Sequence, residues 1–164
     1  MRRMDTDSQE KDNRANQAAE KSSPAYPLPE TTLPLEETAA FREEWFHQFV
    51  NPDKRAMART VCFPKGDLAP HGHGGDHLWH AFGWRYMDCL SGPAARTAYD
   101  RKKKEAVLLY DEQTDRLYTL PAGAAPSSGQ LEGSPHIYIA DPCFSWTYST
   151  GDGGTRMGPY FAGR

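Results

Sequence analysis

The stretch His77-Leu-Trp-His-Ala-Phe-Gly-Trp-Arg-Tyr-Met87 holds four aromatic rings and two histidines, and it is the densest aromatic segment of the chain. Read with a period of two, it places large side chains on one face: Leu78, His80, Phe82, Trp84 and Tyr86. Such alternation and the strand preference of Trp, Tyr and Phe are typical of a half-buried strand. The alternative is a helix, which Gly83 in the middle weakens. The pattern therefore predicts a strand over 77–87.

After this segment, short apolar runs alternate with turn residues. β-branched and aromatic runs predict strands over 106–110, 116–120, 136–140 and 144–148. Residues 157–161 are predicted to form an edge strand, because Pro159 cannot donate a hydrogen bond in a central ladder. Ser91 and Pro93 favour the start of a helix that reaches toward the basic run at 101–104.

Before the segment, aromatic residues follow a helical period. Phe41, Trp45 and Phe49 recur every four residues and predict an amphipathic helix over 36–50, which Asn51-Pro52 ends. An exposed aromatic stripe of that size would promote aggregation, so we expect it to pack on the sheet. A short second helical turn is predicted over 54–59.

This order of elements predicts an α+β fold in a single small domain. We expect a mostly antiparallel sheet of about five to six strands, with two or three helices packed on one face. The domain is predicted to occupy 33–164, with a flexible surface loop rich in Gly, Ser and Pro at 121–135. Residues 1–32 combine alternating charges with a Pro-rich linker and are predicted to be disordered.

Composition excludes several function classes. A length of 164 residues suits one domain, and a net charge of −3 offers no global basic field for nucleic acid or an anionic membrane. No window approaches the roughly 20 apolar residues that cross a bilayer, and no secretory signal is visible at the N-terminus. The three widely spaced cysteines, Cys62, Cys89 and Cys143, are typical of free core thiols in a reducing cytoplasm.

Four histidines, His71, His73, His77 and His80, form the strongest chemical candidate. Several imidazoles within ten residues could bind zinc, nickel or copper, although the spacing matches no standard site. If 77–87 is a strand, His77 and His80 point to opposite faces, which argues against one shared ion. The alternative is that His80 is a hydrogen-bonded residue of the core or sheet, and that His71 and His73 are exposed to solvent.

Other catalytic patterns are weaker. Cys143 with His80 or His136 as base could form a thiol nucleophile, but the sequence shows nothing that would lower the pKa of the thiol. Asp111 and Asp115 could pair as acid and base, yet their place in a hairpin turn is better explained by turn chemistry. Whether the chain is an enzyme stays open, and the balance leans against it.

Three motifs together resemble a known family. The runs Leu78-Trp-His-Ala-Phe82, Trp146-Thr-Tyr148 and Gly158-Pro-Tyr-Phe161 are similar to those of the bacterial domain of unknown function 4275, over roughly residues 36–161. The resemblance implies a small cytoplasmic bacterial domain. That family has no assigned activity, so the resemblance supplies no catalytic residues.

Two functions follow as hypotheses. The first is a non-enzymatic domain that binds another protein, of the immunity (toxin-neutralising) type, without a cofactor and without nucleic acid or membrane as partner. Its candidate contacts are Trp79, His80, Trp84, Arg85, Trp146, Tyr148 and Tyr160. The alternative is a metal-binding protein or metal-dependent hydrolase that uses the histidine cluster with zinc or another divalent transition metal. The oligomeric state is left open.

Overall fold

The computed structural model describes residues 26–64, 77–154 and 156–164. The helices within these ranges are α1 (Leu35–Phe49), a 3-10 turn (Pro52–Lys54), α2 (Arg55–Cys62), α3 (His80–Gly83) and α4 (Gly92–Arg101). The helix predicted over 36–50 is confirmed as α1. The short helical turn predicted over 54–59 is confirmed as part of α2.

Six strands form one sheet in which every neighbouring pair is antiparallel. The strands are β1 (Leu90–Ser91), β2 (Val107–Asp111), β3 (Arg116–Leu120), β4 (Ile137–Ala140), β5 (Trp146–Ser149) and β6 (Tyr160–Gly163). Their order across the sheet is β1-β6-β5-β4-β2-β3. The α+β class and the antiparallel sheet are therefore confirmed, as is the hairpin of β2 and β3.

Helices cover both faces of the sheet, so the expectation that they pack on one face is wrong. Tyr110 and Tyr138 face the cluster that contains Trp45 of α1. Their neighbours in the strands, Leu109 and Ile139, face the cluster that contains Tyr99 of α4. Because successive strand residues point to opposite sides and both sets are apolar, each face needs its own cover.

Helix α1 packs its aromatic stripe on the sheet, as predicted. Phe41, Trp45 and Phe49 are all buried, and the Trp45 indole Nε1 donates a hydrogen bond of 2.8 Å to Oγ1 of Thr147 in β5. The Phe82 and Tyr138 rings contact the Trp45 ring in edge-to-face geometry, at centroid distances of 5.6 and 5.5 Å. The helix is thus joined to the sheet by ring packing and one buried polar contact.

The segment 77–87 is not a strand, which corrects the first prediction. A turn leads into the single helical turn of α3, where the Trp84 N–H donates to the carbonyl of His80 at 2.9 Å. Leu78, Ala81 and Phe82 are buried at helical spacing, whereas Trp84 is exposed. Burial at positions i, i+3 and i+4 therefore outweighs the strand preference of the aromatic residues.

The C-terminal strand also differs from the prediction. β6 lies between β1 and β5 instead of at the sheet edge. Pro159 precedes the strand, and its carbonyl accepts a hydrogen bond from Gly92 at 2.9 Å, so the ladder does not need its missing N–H.

The predicted flexible loop at 121–135 is tied to α4. The Tyr99 hydroxyl donates to the carbonyl of Pro126 at 2.6 Å, and the backbone N–H of Ser128 donates to Asp100 at 2.9 Å. Leu131 is buried. These contacts anchor the loop, and its mobility stays a prediction.

The structure bears on two further predictions, the start of the domain and the location of the cysteines. Tyr26 is buried in the cluster that also contains Tyr99, so the packed part of the chain begins before residue 33; residues 1–25 lie outside the described ranges. All three cysteines are free, but only Cys62 is in the core, since Cys89 and Cys143 are exposed. Among the described residues no helix has the length and apolar character needed to cross a membrane.

Candidate metal centre

The centre of the candidate site is the carboxylate of Glu112. This residue follows β2, and its side chain turns inward until none of it is exposed. Oε1 accepts a hydrogen bond from the Tyr138 hydroxyl at 2.9 Å, and Oε2 accepts one from the backbone N–H of Leu78 at 2.9 Å. A buried carboxylate is costly unless its oxygens are satisfied. Tyr138 of the sheet and Leu78, in the segment before α3, supply these hydrogen bonds.

His77 is held beside this carboxylate. Its Nδ1 lies 2.9 Å from Glu112 Oε1, and its ring is partly buried. The next residues are fixed as well, because the Trp79 backbone N–H donates to the Tyr138 hydroxyl at 2.7 Å. One buried glutamate and one tyrosine therefore set the position of the chain where it enters α3.

His136 approaches from the sheet. It precedes β4 with φ of +59°, a left-handed conformation uncommon for residues other than glycine, and its N–H donates to the carbonyl of Gly151 at 2.9 Å. The imidazole stacks on that of His77 with centroids 4.0 Å apart. Its Nδ1 accepts a hydrogen bond of 2.8 Å from the Trp79 indole. Strained backbone of this kind concentrates at functional sites.

Burial is the main cause that lowers the pKa of His136, and the neighbouring His77 lowers it further. Glu112 and Asp152 act in the opposite direction. The pKa therefore lies below its ordinary value, and the imidazole is neutral at physiological pH. Neutral imidazole is the form that binds metal ions.

His77, Glu112 and His136 each offer one ligand atom, and these three atoms lie within 4.8 Å of one another. Two imidazole nitrogens and one carboxylate oxygen form a donor set that zinc uses in catalytic sites. A tetrahedral ion held by three protein ligands keeps its fourth position for water. The residues present therefore fit a divalent transition metal.

Of the four histidines predicted to form a cluster, the structure describes two, His77 and His80. His71 and His73 lie outside the described residues. The rings of His77 and His80 are 5.4 Å apart, so the predicted separation onto opposite faces is wrong. His80 lies at the border of the site, with its Nδ1 3.4 Å from the carbonyl of Val61.

Sequence reasoning missed two of the three candidate ligands. Glu112 is one of three acids at the tip of the β2–β3 hairpin, and nothing in the spacing distinguishes it from Asp111 and Asp115. The sequence suggests His136 only as a base for Cys143, whereas in the structure its Nδ1 accepts a hydrogen bond from the Trp79 indole. The three ligands come from distant parts of the chain, so no local motif announces them.

A sequence model of one family, described as Domain of unknown function (DUF4275), matches residues 35–161. The chain belongs to the DUF4275 family. The resemblance predicted from the three motifs is thereby confirmed, and the matched range contains the whole candidate centre. No curated protein and no solved structure matches the chain.

The aromatic contacts predicted for a partner are mostly interior residues of this DUF4275 domain. Side chains that pack in the core are Trp79, Trp146, Tyr148 and Tyr160. His80 is half-buried, whereas Trp84 and Arg85 are exposed. The surface available to a partner among these residues therefore centres on Trp84 and Arg85.

The two acids proposed as an acid–base pair, Asp111 and Asp115, each have structural partners. Asp111 accepts hydrogen bonds from the Gln113 N–H at 3.0 Å and the Thr114 hydroxyl at 2.9 Å, which confirms its role in turn chemistry. Asp115 forms an ion pair of 2.5 Å with Arg42 of α1. Asp111 therefore stabilises the turn of the hairpin, and Asp115 links the hairpin to α1.

Proposed function

We propose that this chain binds a divalent transition metal ion, with zinc the best fit, through His77, Glu112 and His136. The observation that carries the proposal is the convergence of these three donors within 4.8 Å. They come from three separate elements around a carboxylate with no exposed surface. This position differs from that of a solvated surface cluster of acids.

Charge supports the proposal. A carboxylate in the interior loses its hydration, and its burial is costly unless other charges and hydrogen bonds compensate that loss. A divalent cation beside Glu112 would offset the buried negative charge directly. Neutral His136, whose pKa is lowered by burial and by His77, carries no positive charge that would repel an ion.

The chemistry that fits such a centre is hydrolysis. Zinc held by His77, Glu112 and His136 would lower the pKa of a bound water toward about 7 and so would supply a nucleophile at neutral pH. Within this proposal the chain residues bind and orient the ion, while Tyr138 and the Leu78 N–H position the Glu112 carboxylate.

The test measures zinc stoichiometry and affinity by titration calorimetry of the chelator-treated protein. The parent protein should bind one equivalent of Zn²⁺, and its melting temperature should rise on binding, because binding energy adds to the stability of the native state. His77→Ala, Glu112→Gln and His136→Ala should each weaken binding by at least about tenfold. His47→Ala, at an exposed histidine of α1, is the matched control and should bind like the parent.

A parent protein that binds no Zn²⁺, Ni²⁺, Co²⁺ or Mn²⁺, and whose melt is indifferent to chelator, would refute the metal proposal. Loss of stability confined to His80→Ala would also contradict it, since that pattern identifies a structural histidine.

A second candidate function is the binding of another protein in the cytoplasm, as an immunity-type domain. The observation that favours it is the exposure of three large apolar side chains, Trp84, Leu90 and Met157, which are 63%, 47% and 36% exposed. Met157 and Arg85 line an open groove of about 410 Å³. Exposed Trp and Arg side chains are frequent anchors of interfaces. The three free thiols support a reducing compartment.

This second candidate is tested with the protein encoded beside the gene, taken as the partner. The two chains should co-elute in gel filtration, and Trp84→Ala should abolish co-elution without lowering the melting temperature. Leu35→Ala, at another exposed apolar residue, is the control and should preserve the complex. Co-elution that survives Trp84→Ala would exclude this surface as the interface.

A further inference from the structure

The hydrogen bond between Trp79 and His136 determines which nitrogen of His136 carries a proton. The indole Nε1 is 2.8 Å from His136 Nδ1, and an indole N–H can only donate. Nδ1 therefore presents its lone pair to the indole and carries no hydrogen. In a neutral imidazole the other nitrogen, Nε2, then carries the single proton.

His136 consequently has no lone pair left for a metal ion while this bond exists. An ion that binds Nδ1 must displace the indole directly. An ion that binds Nε2 must move the ring proton to Nδ1, where two N–H groups then face each other and the bond is lost. The conflict is the same for either nitrogen, because a neutral imidazole has only one lone pair in the plane of its ring.

We propose that Trp79 is a built-in competitor of the metal ion, and that indole and ion bind His136 alternately. This inference rests on the proposed metal function and adds a residue that regulates the affinity of the site. Trp79 contacts the ion in neither state. It acts through the acceptor that it occupies on His136.

Two features make the competition strong. The Trp79 side chain is 7% exposed, so an indole N–H released from His136 has little access to water. A buried donor without a partner is unfavourable, and this loss opposes metal binding. The backbone of Trp79 is held independently by the hydrogen bond from its N–H to the Tyr138 hydroxyl, so the residue stays in place when the indole bond breaks.

The competition predicts that removing the indole N–H tightens metal binding. Trp79→Phe keeps an aromatic ring beside the stacked histidines and deletes the donor. In Zn²⁺ titrations by calorimetry, this variant should bind about tenfold more tightly than the parent. Trp146→Phe, which alters a buried indole on the other face of the sheet, is the matched control and should leave the affinity unchanged.

A second measurement follows the parent protein, and a variant is needed only to assign one resonance. In a ¹H–¹⁵N spectrum, the indole resonance of Trp79, assigned by its absence from the Trp79→Phe or Trp79→Tyr spectrum, should shift when Zn²⁺ saturates the site. The indole resonance of Trp146 should stay in place. A purely structural role for Trp79 predicts the opposite affinity change, since damage to the site weakens binding.

The outcomes separate this inference from the function on which it rests. Zn²⁺ binding by the parent together with equal or weaker binding by a folded Trp79→Phe protein overturns the competition and leaves the metal site standing. An unshifted Trp79 indole resonance at Zn²⁺ saturation does the same. Absence of Zn²⁺ binding in both parent and Trp79→Phe overturns the metal site and the competition together.

Discussion

The imidazole of His136 lies parallel to that of His77, with ring centroids 4.0 Å apart and an angle of 8° between the planes. One ring belongs to the residue before β4, and the other precedes α3. Their contact therefore joins the sheet to the segment that leads into the short helix. The buried Glu112 carboxylate completes this junction from the end of β2.

Tyr138 connects the parts of the candidate centre, so its hydroxyl is a direct target. Tyr138→Phe removes the donor to Glu112 and the acceptor for the Trp79 N–H. We expect a loss of roughly 1–3 kcal/mol in the free energy of unfolding, measured by urea denaturation, because two buried groups lose a partner. Tyr118→Phe, in the core on the other face, is the comparison. Equal urea midpoints for Tyr138→Phe and the parent would contradict this role.

Trp45 should be among the most costly residues of α1 to truncate. Its ring is fully buried, and its indole binds Thr147 of β5. Trp45→Ala is expected to lower the free energy of unfolding by roughly 3–5 kcal/mol, through lost burial and the cavity left behind. Leu35→Ala in the same helix is 73% exposed in the parent and should change stability little. Similar values for both variants would show that the aromatic stripe does not hold α1 on the sheet.

The three thiols should differ in reactivity. Burial, and secondarily the charge of Glu112, raises the pKa of Cys62 to about 12. Its thiol therefore stays protonated and inaccessible at pH 8, while Cys89 and Cys143 are exposed. A thiol reagent should modify Cys89 and Cys143 in the folded protein and reach Cys62 only in denaturant. Modification of Cys62 at the same rate as the others would refute its burial.

The raised pKa of Cys62 also has a consequence for alkaline stability. Its folded pKa of about 12 exceeds the ordinary value of 9.0, so the native thiol keeps its proton where the unfolded thiol loses it. Its contribution is fully present below pH 9 and decreases as the pH rises toward 12. Cys62→Ala should lose less stability than the parent between pH 8 and 10 in urea melts, and parallel pH profiles would contradict this.

Gly151 forms a tight turn whose carbonyl accepts the backbone hydrogen bond of His136. Its φ is +61°, and a Cβ there would lie 1.9 Å from the carbonyl oxygen of Met157. Gly151→Ala should therefore cost at least about 3 kcal/mol, because strain and a backbone clash combine. Gly123→Ala has a similar positive φ but open space, so about 1 kcal/mol is expected. Equal losses in thermal melts would mean that the close approach to Met157 is unimportant.

The N-terminal boundary of the domain can be measured by two deletions. Removing residues 2–25 should leave the melting temperature unchanged, because their charged sequence offers little to bury. Removing residues 2–30 also deletes Tyr26, whose ring is 5% exposed and packs with Tyr99 and Leu131. The longer deletion should lower the melting temperature by more than about 5 °C. A large drop with the shorter deletion would show that part of 1–25 packs on the domain.

Local periodicity in the sequence determined most helices and strands of the described chain. Phe41, Trp45 and Phe49 repeat with the helical period and indicate both α1 and its buried face. The runs at 106–110 and 116–120 predict the β2–β3 hairpin, because their apolar residues are bounded by turn residues. In each case the deciding information lies within one turn or one pair of neighbouring strands.

Tertiary structure decided three features: the conformation of the segment 77–87, the burial of the second face of the sheet, and the geometry of the site. Leu78 and Phe82 are buried against α1 and the sheet, and this burial selects a helical turn over the strand that the aromatic residues favour locally. Glu112 and His136 are far apart in the chain and meet because β2 pairs with β4, and His77 joins them through its contact with Glu112. Long-range pairing of this kind leaves no spacing in the sequence, since the chain between paired strands can vary in length without changing the contact.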